Sequence, residues 1–435
     1  MPARFSTAQE FLAYLDGLNF FHMDLSLNRM ERALDAMGLR RPPFLVVQVA
    51  GTNGKGSTAT FLASLLQAYG CRAGLFTSPH FVYPSERVMV DGGRVPEEEW
   101  LEAADLALNA SPDLTYFEIV TCVALACFRA RGVRVAVMEA GLGARHDATT
   151  ATAADMAVFT PMALDHTAVL GPALADIAAD KACAIRGPVP AFTAAQDPVA
   201  MRVLEERAAA FGAPLRVAAP VPEGTPLGLA GAHQRENAGT ALAALRGLLP
   251  MLDLQEDPLS TAQGLAHAFI PGRLQTVTAD SRPAPGRPPR PACLLDGAHN
   301  PHGMGSLVRH LGGIPRPRAV VYSCLRDKDW RQALGMLARA LPPTPFLVPA
   351  MRNERAEEPQ SIIAELARAG QHDARAFDTL SECLAAGRAI PGDGALLVTG
   401  SLYLLADFFA LYPEALERPP RLSQTPDATR RASHA

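Results

Sequence analysis

Six short runs of strand-forming apolar residues recur along the chain: FLVVQVA (44–50), RVAVMEA (134–140), MAVFT (156–160), ACLLDG (292–297), RAVVYSCL (318–325) and GALLVTGS (394–401). Longer segments rich in Ala, Leu and Arg separate them. A strand with one wet face alternates polar and apolar residues, whereas a strand covered by helices on both faces reads as a nearly unbroken apolar run. The pattern therefore predicts an α/β protein with mostly parallel sheets.

At 435 residues, with 49% hydrophobic and 19% charged residues, the chain exceeds one typical domain, so two are expected. The densest Pro/Arg/Gly stretch, DSRPAPGRPPRPA (280–292), reads as a linker or exposed loop. It divides a larger N-terminal domain (1–285) from a smaller one (290–418), and the tail 419–435 lacks apolar periodicity and reads as disordered. A net charge of −4 offers no footprint for nucleic acid or an anionic membrane, so small molecules are the expected partners. Seven cysteines, odd in number and without a C-x-x-C pair, read as reduced thiols of a cytoplasmic protein. No signal peptide and no apolar run of about 18 residues is seen, which predicts a soluble chain.

The segment VVQVAGTNGKGSTATFLASLL (46–66) passes from strand to glycine-rich turn to helix. Only Thr52 and Asn53 separate Gly51 from the Gly54-Lys55 pair, and Gly56 stands before Ser57, so the usual phosphate-loop spacing is missed. The physical elements are nonetheless present. Glycines let the backbone approach an anion, the helix N-terminus at Ser57 favours negative charge, Lys55 adds a full positive charge, and Ser57 is placed to ligate a Mg2+ carried by phosphates. A turn using glycine for geometry alone is the competing reading.

Ligands of doubly wound sheets bind beyond the carboxyl ends of the strands. Five such ends carry chemistry: Ser78 in TSPH, Glu139 before AGLGARHDATT, Asp165 and His166, Asp296 and His299 in DGAHNPHG, and Asp327, Lys328 and Asp329. Each alone also reads as a cap, a core histidine or a solvated loop. Glu139 resists that reading, because a carboxylate ending a buried strand is costly unless paired or metal-bound. Lys181, between Ile177 and Ile185, reads by itself as a lysine reaching for solvent.

Together the segments HMDLSLNRMERAL, VAGTNGKGST, GLFTSPHFVYPSERVMVDG, TYFEIVT, EAGLGARHDATT, ALDHTAVLG, DKACAIR, GAHQRENAGTALAAL, PGRLQ, LDGAHNPHG, DKDW and GSLYL resemble the folylpolyglutamate synthase family, in particular its bacterial bifunctional dihydrofolate synthase members, relatives of the Mur ligases. They run in family order from about residue 14 to 405. The resemblance implies an N-terminal P-loop-type doubly wound domain and a smaller C-terminal α/β (Rossmann-like) domain for glutamate ligation. It implies an enzyme in which ATP phosphorylates a carboxylate and the amino group of L-glutamate attacks the acyl phosphate, with dihydropteroate and reduced folates as acceptors and a monomer as the working form.

Carried onto this sequence, Asn53, Gly54, Lys55, Gly56 and Ser57 would hold phosphates, with Asn237 on the adenine side, Arg273 at the triphosphate and Asp296 at the nucleotide. Two Mg2+ positions would use Ser57, Ser78, Glu139 and His166, with His299 close to the phosphates. Lys181 would be carbamylated, turning a cation into a metal-binding carboxylate, which reverses its reading in isolation. The pterin-side substrate would lie against Asp24, Leu25, Thr115, Tyr116, Phe117, Glu118, His146, Asp147 and Ala148. The chain departs from the family pattern at Ala140, Ala144, His146, Thr150, Asp180 and Cys183; none of these removes an implied metal ligand, but Ala144 and His146 lie beside the implied pterin region and put substrate preference in question. A monofunctional folylpolyglutamate synthase, a Mur-type amino-acid ligase and a nucleotide-binding regulatory module are the alternatives.

Overall fold

The computed structural model describes residues 4–18, 26–280 and 288–418. Its strands are β1 (Leu45–Ala50), β2 (Ala73–Phe76), β3 (Val88–Val90), β4 (Gly93–Arg94), β5 (Val135–Glu139), β6 (Met156–Phe159), β7 (Ala191–Thr193), β8 (Leu215–Val217), β9 (Gln275–Val277), β10 (Cys293–Leu295), β11 (Ala319–Tyr322), β12 (Phe346–Pro349), β13 (Ala374–Phe377) and β14 (Leu396–Thr399). Eight strands form a first sheet in the order β4-β3-β2-β5-β1-β6-β7-β8, and six form a second in the order β13-β12-β11-β14-β10-β9. Pairing is parallel except for β2 with β3, β3 with β4 and β9 with β10. All six apolar runs are strands, and the α/β architecture expected from them is the one observed.

Alternation along the strands explains why the runs are continuous. In β5, Val135 and Val137 pack into one core with the helices Lys55–Ala68 and Gln234–Leu248, while Ala136 and Met138 pack into another with the helices Glu97–Ala110 and Tyr116–Ala130. Both faces are covered, so neither set of residues is free to be polar. The second sheet repeats the device: Val321 and Val398 face one core, and Val320, Leu397 and Phe346 the other.

Two expectations need correction. The Pro/Arg/Gly stretch does not separate the sheets, because β9 precedes it and pairs antiparallel with β10 in the second sheet. Its ends are fastened together: Asp280 N–H donates to Arg290 O at 3.0 Å, and the two side chains form an ion pair at 3.2 Å. The second correction is local. The phosphate-loop helix begins at Lys55, with Gly54 as its N-cap, so Ser57 stands inside the first turn. Asp24, Leu25 and the tail 419–435 lie outside the described residues. Among the described residues no helix is long and apolar enough to cross a membrane.

Helix Tyr116–Ala130 carries expected site residues at its N-terminus and Phe128 near its end, where the ring is fully buried and would lie 2.7 Å from a Cβ on Gly74 of β2. Phe128→Ala is expected to lower stability by about 3–5 kcal/mol, read as a lower urea midpoint, since the ring is closely packed and its site collapses poorly.

Candidate functional site

The carboxyl ends of β1, β2, β5 and β6 open into one cavity of about 1010 Å3, closed on its far side by residues following β10, β11 and β14 of the second sheet. Strand order explains the place: the chain leaves β1 toward β2 on one side and leaves its neighbour β5 toward β6 on the other, so a crevice forms between them where the direction changes.

The turn after β1 is shaped around its neighbours. Gly54 has φ +88, and a Cβ there would lie 2.4 Å from Asn237 Oδ1, so both conformation and space demand glycine. Asn237 is buried, and its Nδ2 donates to Gln234 Oε1 at 2.9 Å. It supports the loop from behind as well as lining the cavity. Lys55 Nζ donates to Thr52 O at 3.3 Å, and Ser57 Oγ accepts from Gln234 Nε2 at 3.4 Å. The Thr52 and Asn53 amides donate to Pro161 O at 3.1 and 3.3 Å, and Thr58 N–H makes the first helical bond, to Gly54 O, which leaves the amides from Gly54 to Ser57 available to an anion.

Glu139 ends β5 fully enclosed, and burial pushes its carboxyl pKa up against the field of Lys55. Its Oε2 accepts the Ser78 N–H at 2.9 Å. Lys181 ends the helix Leu174–Lys181 and is also buried; burial, with Lys55 nearby, lowers its pKa to about 7. Among the described residues its ammonium makes no hydrogen bond or ion pair. The solvent-reaching reading of Lys181 is therefore excluded.

The two sheets meet at Asp165. Lys328 Nζ donates to its Oδ1 at 2.7 Å, Asn300 Nδ2 to its Oδ2 at 3.1 Å, and His299 Nε2 lies 3.9 Å away. Burial opposes ionisation of Asp165, but Lys328 and His166 override it and hold its pKa far below the carboxylate range. His166, in a left-handed conformation (φ 51), has Nε2 3.1 Å from Lys328 Nζ. Burial and Lys328 depress both His166 and His299 to about 4, so both are neutral at neutral pH. His299 Nδ1 bonds Gly297 O at 2.8 Å, which leaves Nε2 as an electron-pair donor. Asn53 joins the same seam through Asn300 and His302, at 3.2 and 3.0 Å.

Several expected site residues also hold the backbone around the cavity. Both oxygens of Asp296 accept backbone N–H groups, from Leu274 and Ala298 at 3.0 Å each, so it fixes the turn that presents Arg273 to the cavity. Asp147 accepts from Gly141, Leu142 and Thr149, holding the loop after β5, with Ala148 buried beside it and His146 exposed on the cavity wall. Glu118 caps its own helix through the Thr115 N–H at 2.8 Å and pairs with Arg29 at 3.3 Å. Phe117 packs across Gly141, with a 2.7 Å approach to a Cβ built there, and Tyr116 lies under Arg87 at 5.7 Å. No group of three or more His, Cys, Asp or Glu side chains converges among the described residues, and Ser57, Ser78, Glu139 and His166 all line the cavity.

Sequence reasoning gave no role to Arg87, Asn300, His302 or Gln234, and left Asp165 and Lys328 as polar strand ends. Arg87 is buried at the cavity wall, its Nε donating to His80 Nδ1 at 2.8 Å, and among the described residues it forms no ion pair. Flanked by Ser85 and Glu86, it has the local look of an exposed charge run.

Comparison with known proteins fits this geometry. The model of the Mur ligase glutamate ligase domain matches residues 272–402. The dihydrofolate synthase/folylpolyglutamate synthase of Escherichia coli K12 is 32% identical over 428 residues, which span 93% of this chain and 95% of that protein. The solved structure of E. coli FolC in complex with DHPP and ADP superposes with a TM-score of 0.82 at 30% identity, covering 95% of this chain and 99% of that one. A Yersinia pestis bifunctional folylpolyglutamate synthase/dihydrofolate synthase with Mn, AMPPNP and L-glutamate bound superposes with a TM-score of 0.80 at 29% identity, covering 94% and 98%. Likeness of this extent covers both sheets and the crevice between them, and the chain belongs to the dihydrofolate synthase/folylpolyglutamate synthase family.

Proposed function

We propose that the chain is an ATP- and Mg2+-dependent ligase that joins L-glutamate in amide linkage to dihydropteroate and to reduced folates through an acyl phosphate. The observation that carries this is the single cavity into which the glycine turn, buried Glu139 and buried Lys181 open from the first sheet, and Arg273, His299 and Lys328 from the second. A carboxylate does not acylate an amine until one oxygen leaves as phosphate, so such a site must clamp a triphosphate, neutralise developing charge and hold the amine close. The turn amides and Lys55 take the phosphates, and Arg273 reaches them from the sheet junction. Arg87, a desolvated guanidinium without a carboxylate partner among the described residues, receives the acid substrate's negative charge. Closure along the Asp165 seam keeps water from the acyl phosphate.

The residues fit a divalent cation of oxygen preference. Glu139 is a buried carboxylate with one backbone donor, and Ser57 and Ser78 flank it with hydroxyls. Glu139, Ser57 and Ser78 would hold Mg2+, which would supply charge neutralisation for phosphoryl transfer. His166 serves a second position. A lysine with a pKa near 7 is substantially neutral at physiological pH, and a neutral amine attacks CO2 to form an N–C bond and lose a proton. The resulting carbamate places an anion near Lys55, which supports Lys181 as a modified metal ligand. Sheet membership and the 272–402 match support a division between the two domains near residue 272.

Purified protein incubated with ATP, Mg2+ and glutamate, with dihydropteroate or tetrahydrofolate offered, is expected to add one glutamate to the first and further glutamates to the second, read by mass. EDTA abolishes both reactions and excess Mg2+ restores them. Gain on tetrahydrofolate alone would identify a monofunctional synthase, and no gain on either substrate overturns the proposal. Lys181→Ala is expected to lower turnover by ~10²-fold or more, with partial restoration by a small carboxylate such as formate; near-normal activity would exclude the carbamate. Arg87→Met is expected to raise KM for the acid substrate by about tenfold or more with KM for ATP little changed.

A further inference from the structure

The helix Leu174–Lys181 presents Asp176 and Asp180 to the cavity one turn apart, immediately before Lys181. Asp176 serves its own helix, its Oδ2 accepting the N-cap Ala173 N–H at 3.0 Å. Asp180 reaches across to the loop that follows β5. Its Oδ1 accepts the Ala144 N–H at 2.8 Å and the Arg145 N–H at 3.3 Å, and its Oδ2 lies 3.7 Å from Arg145 Nε.

The loop is built to receive that carboxylate. Gly143 has φ +69, and a Cβ on it would stand 2.2 Å from Asp180 Oδ1 and 3.0 Å from Leu170 Cδ2. Asp147 meanwhile binds Gly141, Leu142 and Thr149 within the loop, which fixes the loop's own shape. Asp180 is its tie to the helix, and between the two pins Arg145 and His146 line the cavity. The phosphate turn is tied elsewhere, through Asn237, Gln234 and Asn300.

We propose that Asp180 is a positioning residue for the acid substrate: it clamps the loop 141–149 to the Lys181 helix and so sets the substrate side of the cleft, leaving the nucleotide side untouched. A carboxylate accepting two amides is a charge-assisted anchor, and misplacing a substrate-orienting loop by about 1 Å is enough to lose a large factor in reactivity. The assignment rests on the ligase reading above, so the wild-type chain is scored first.

The test is steady-state kinetics with dihydropteroate and ATP varied separately. Asp180→Ala and Gly143→Ala are each expected to raise KM for dihydropteroate about tenfold while KM for ATP stays within about twofold. The near-isosteric Asp180→Asn keeps an acceptor oxygen and the fold, and is expected to show a smaller rise of the same kind. Because both sites break one contact, the double variant should fall well short of the product of the single effects. An unchanged dihydropteroate KM in Asp180→Asn and Gly143→Ala, or an equal rise in both KM values, overturns the clamp. A wild-type chain that adds no glutamate overturns the ligase reading instead.

Discussion

The buried pair between Asp165 and Lys328 joins the two sheets at the cleft, beside the Asn53 contacts with Asn300 and His302 and the Phe81–Phe409 ring contact. Asp165 leaves the end of β6 and Lys328 follows β11, and their side chains are only 10% and 9% exposed. Desolvating two charges is expensive, and the mutual attraction offsets it only where further hydrogen bonds satisfy the remaining lone pairs. Asn300 supplies one such bond to Asp165, and Asn300 also reaches Asn53 in the phosphate turn. A contact between the sheets is thus transmitted directly to the turn that would hold phosphate. Specificity of docking, more than raw stability, is what a buried pair of this kind contributes.

Carboxylates are numerous around the cavity, yet most are already committed. Asp147, Asp180 and Asp296 accept backbone amides, Asp165 is paired, and Glu118 caps a helix. Glu139 stands apart, with a single backbone donor and full burial. Lys181 is likewise buried with no partner among the described residues. Leaving these two uncompensated is unfavourable for the folded chain alone, which is the expected condition of groups whose partners arrive with the ligands.

The legible part of the fold was the part set by burial. Strands covered on both faces announce themselves as unbroken apolar runs, which is why β1, β5, β6, β10, β11 and β14 could be read directly. Strand β13, whose Arg375 and Ala376 are exposed, and β8, with Val217 57% exposed, lack that signal because they are edge strands. The cleft residues that could be read were those at the ends of the legible strands. Arg87 could not, since its burial arises from packing against His80 and Tyr116 on segments whose approach is a tertiary fact. Motif reasoning also assigns residues to ligands without knowing what the backbone already requires of them. Asp147, Asp296 and Glu118 spend their oxygens on turns and caps that shape the site.

The departure of the phosphate turn from the usual spacing has a geometric meaning. The helix starts at Lys55, and its next residue, Gly56, lies against Glu139. A Cβ on Gly56 would come within 3.4 Å of Glu139 Oε2 and 3.2 Å of Ile270 Cδ1. Any side chain at position 56 would press into the gap between helix terminus and carboxylate. That gap is where a cation has to stand if it is to touch a phosphate held by the helix and a carboxylate held by β5 at once. The additional glycine therefore keeps a side chain out of the space between the helix terminus and the Glu139 carboxylate.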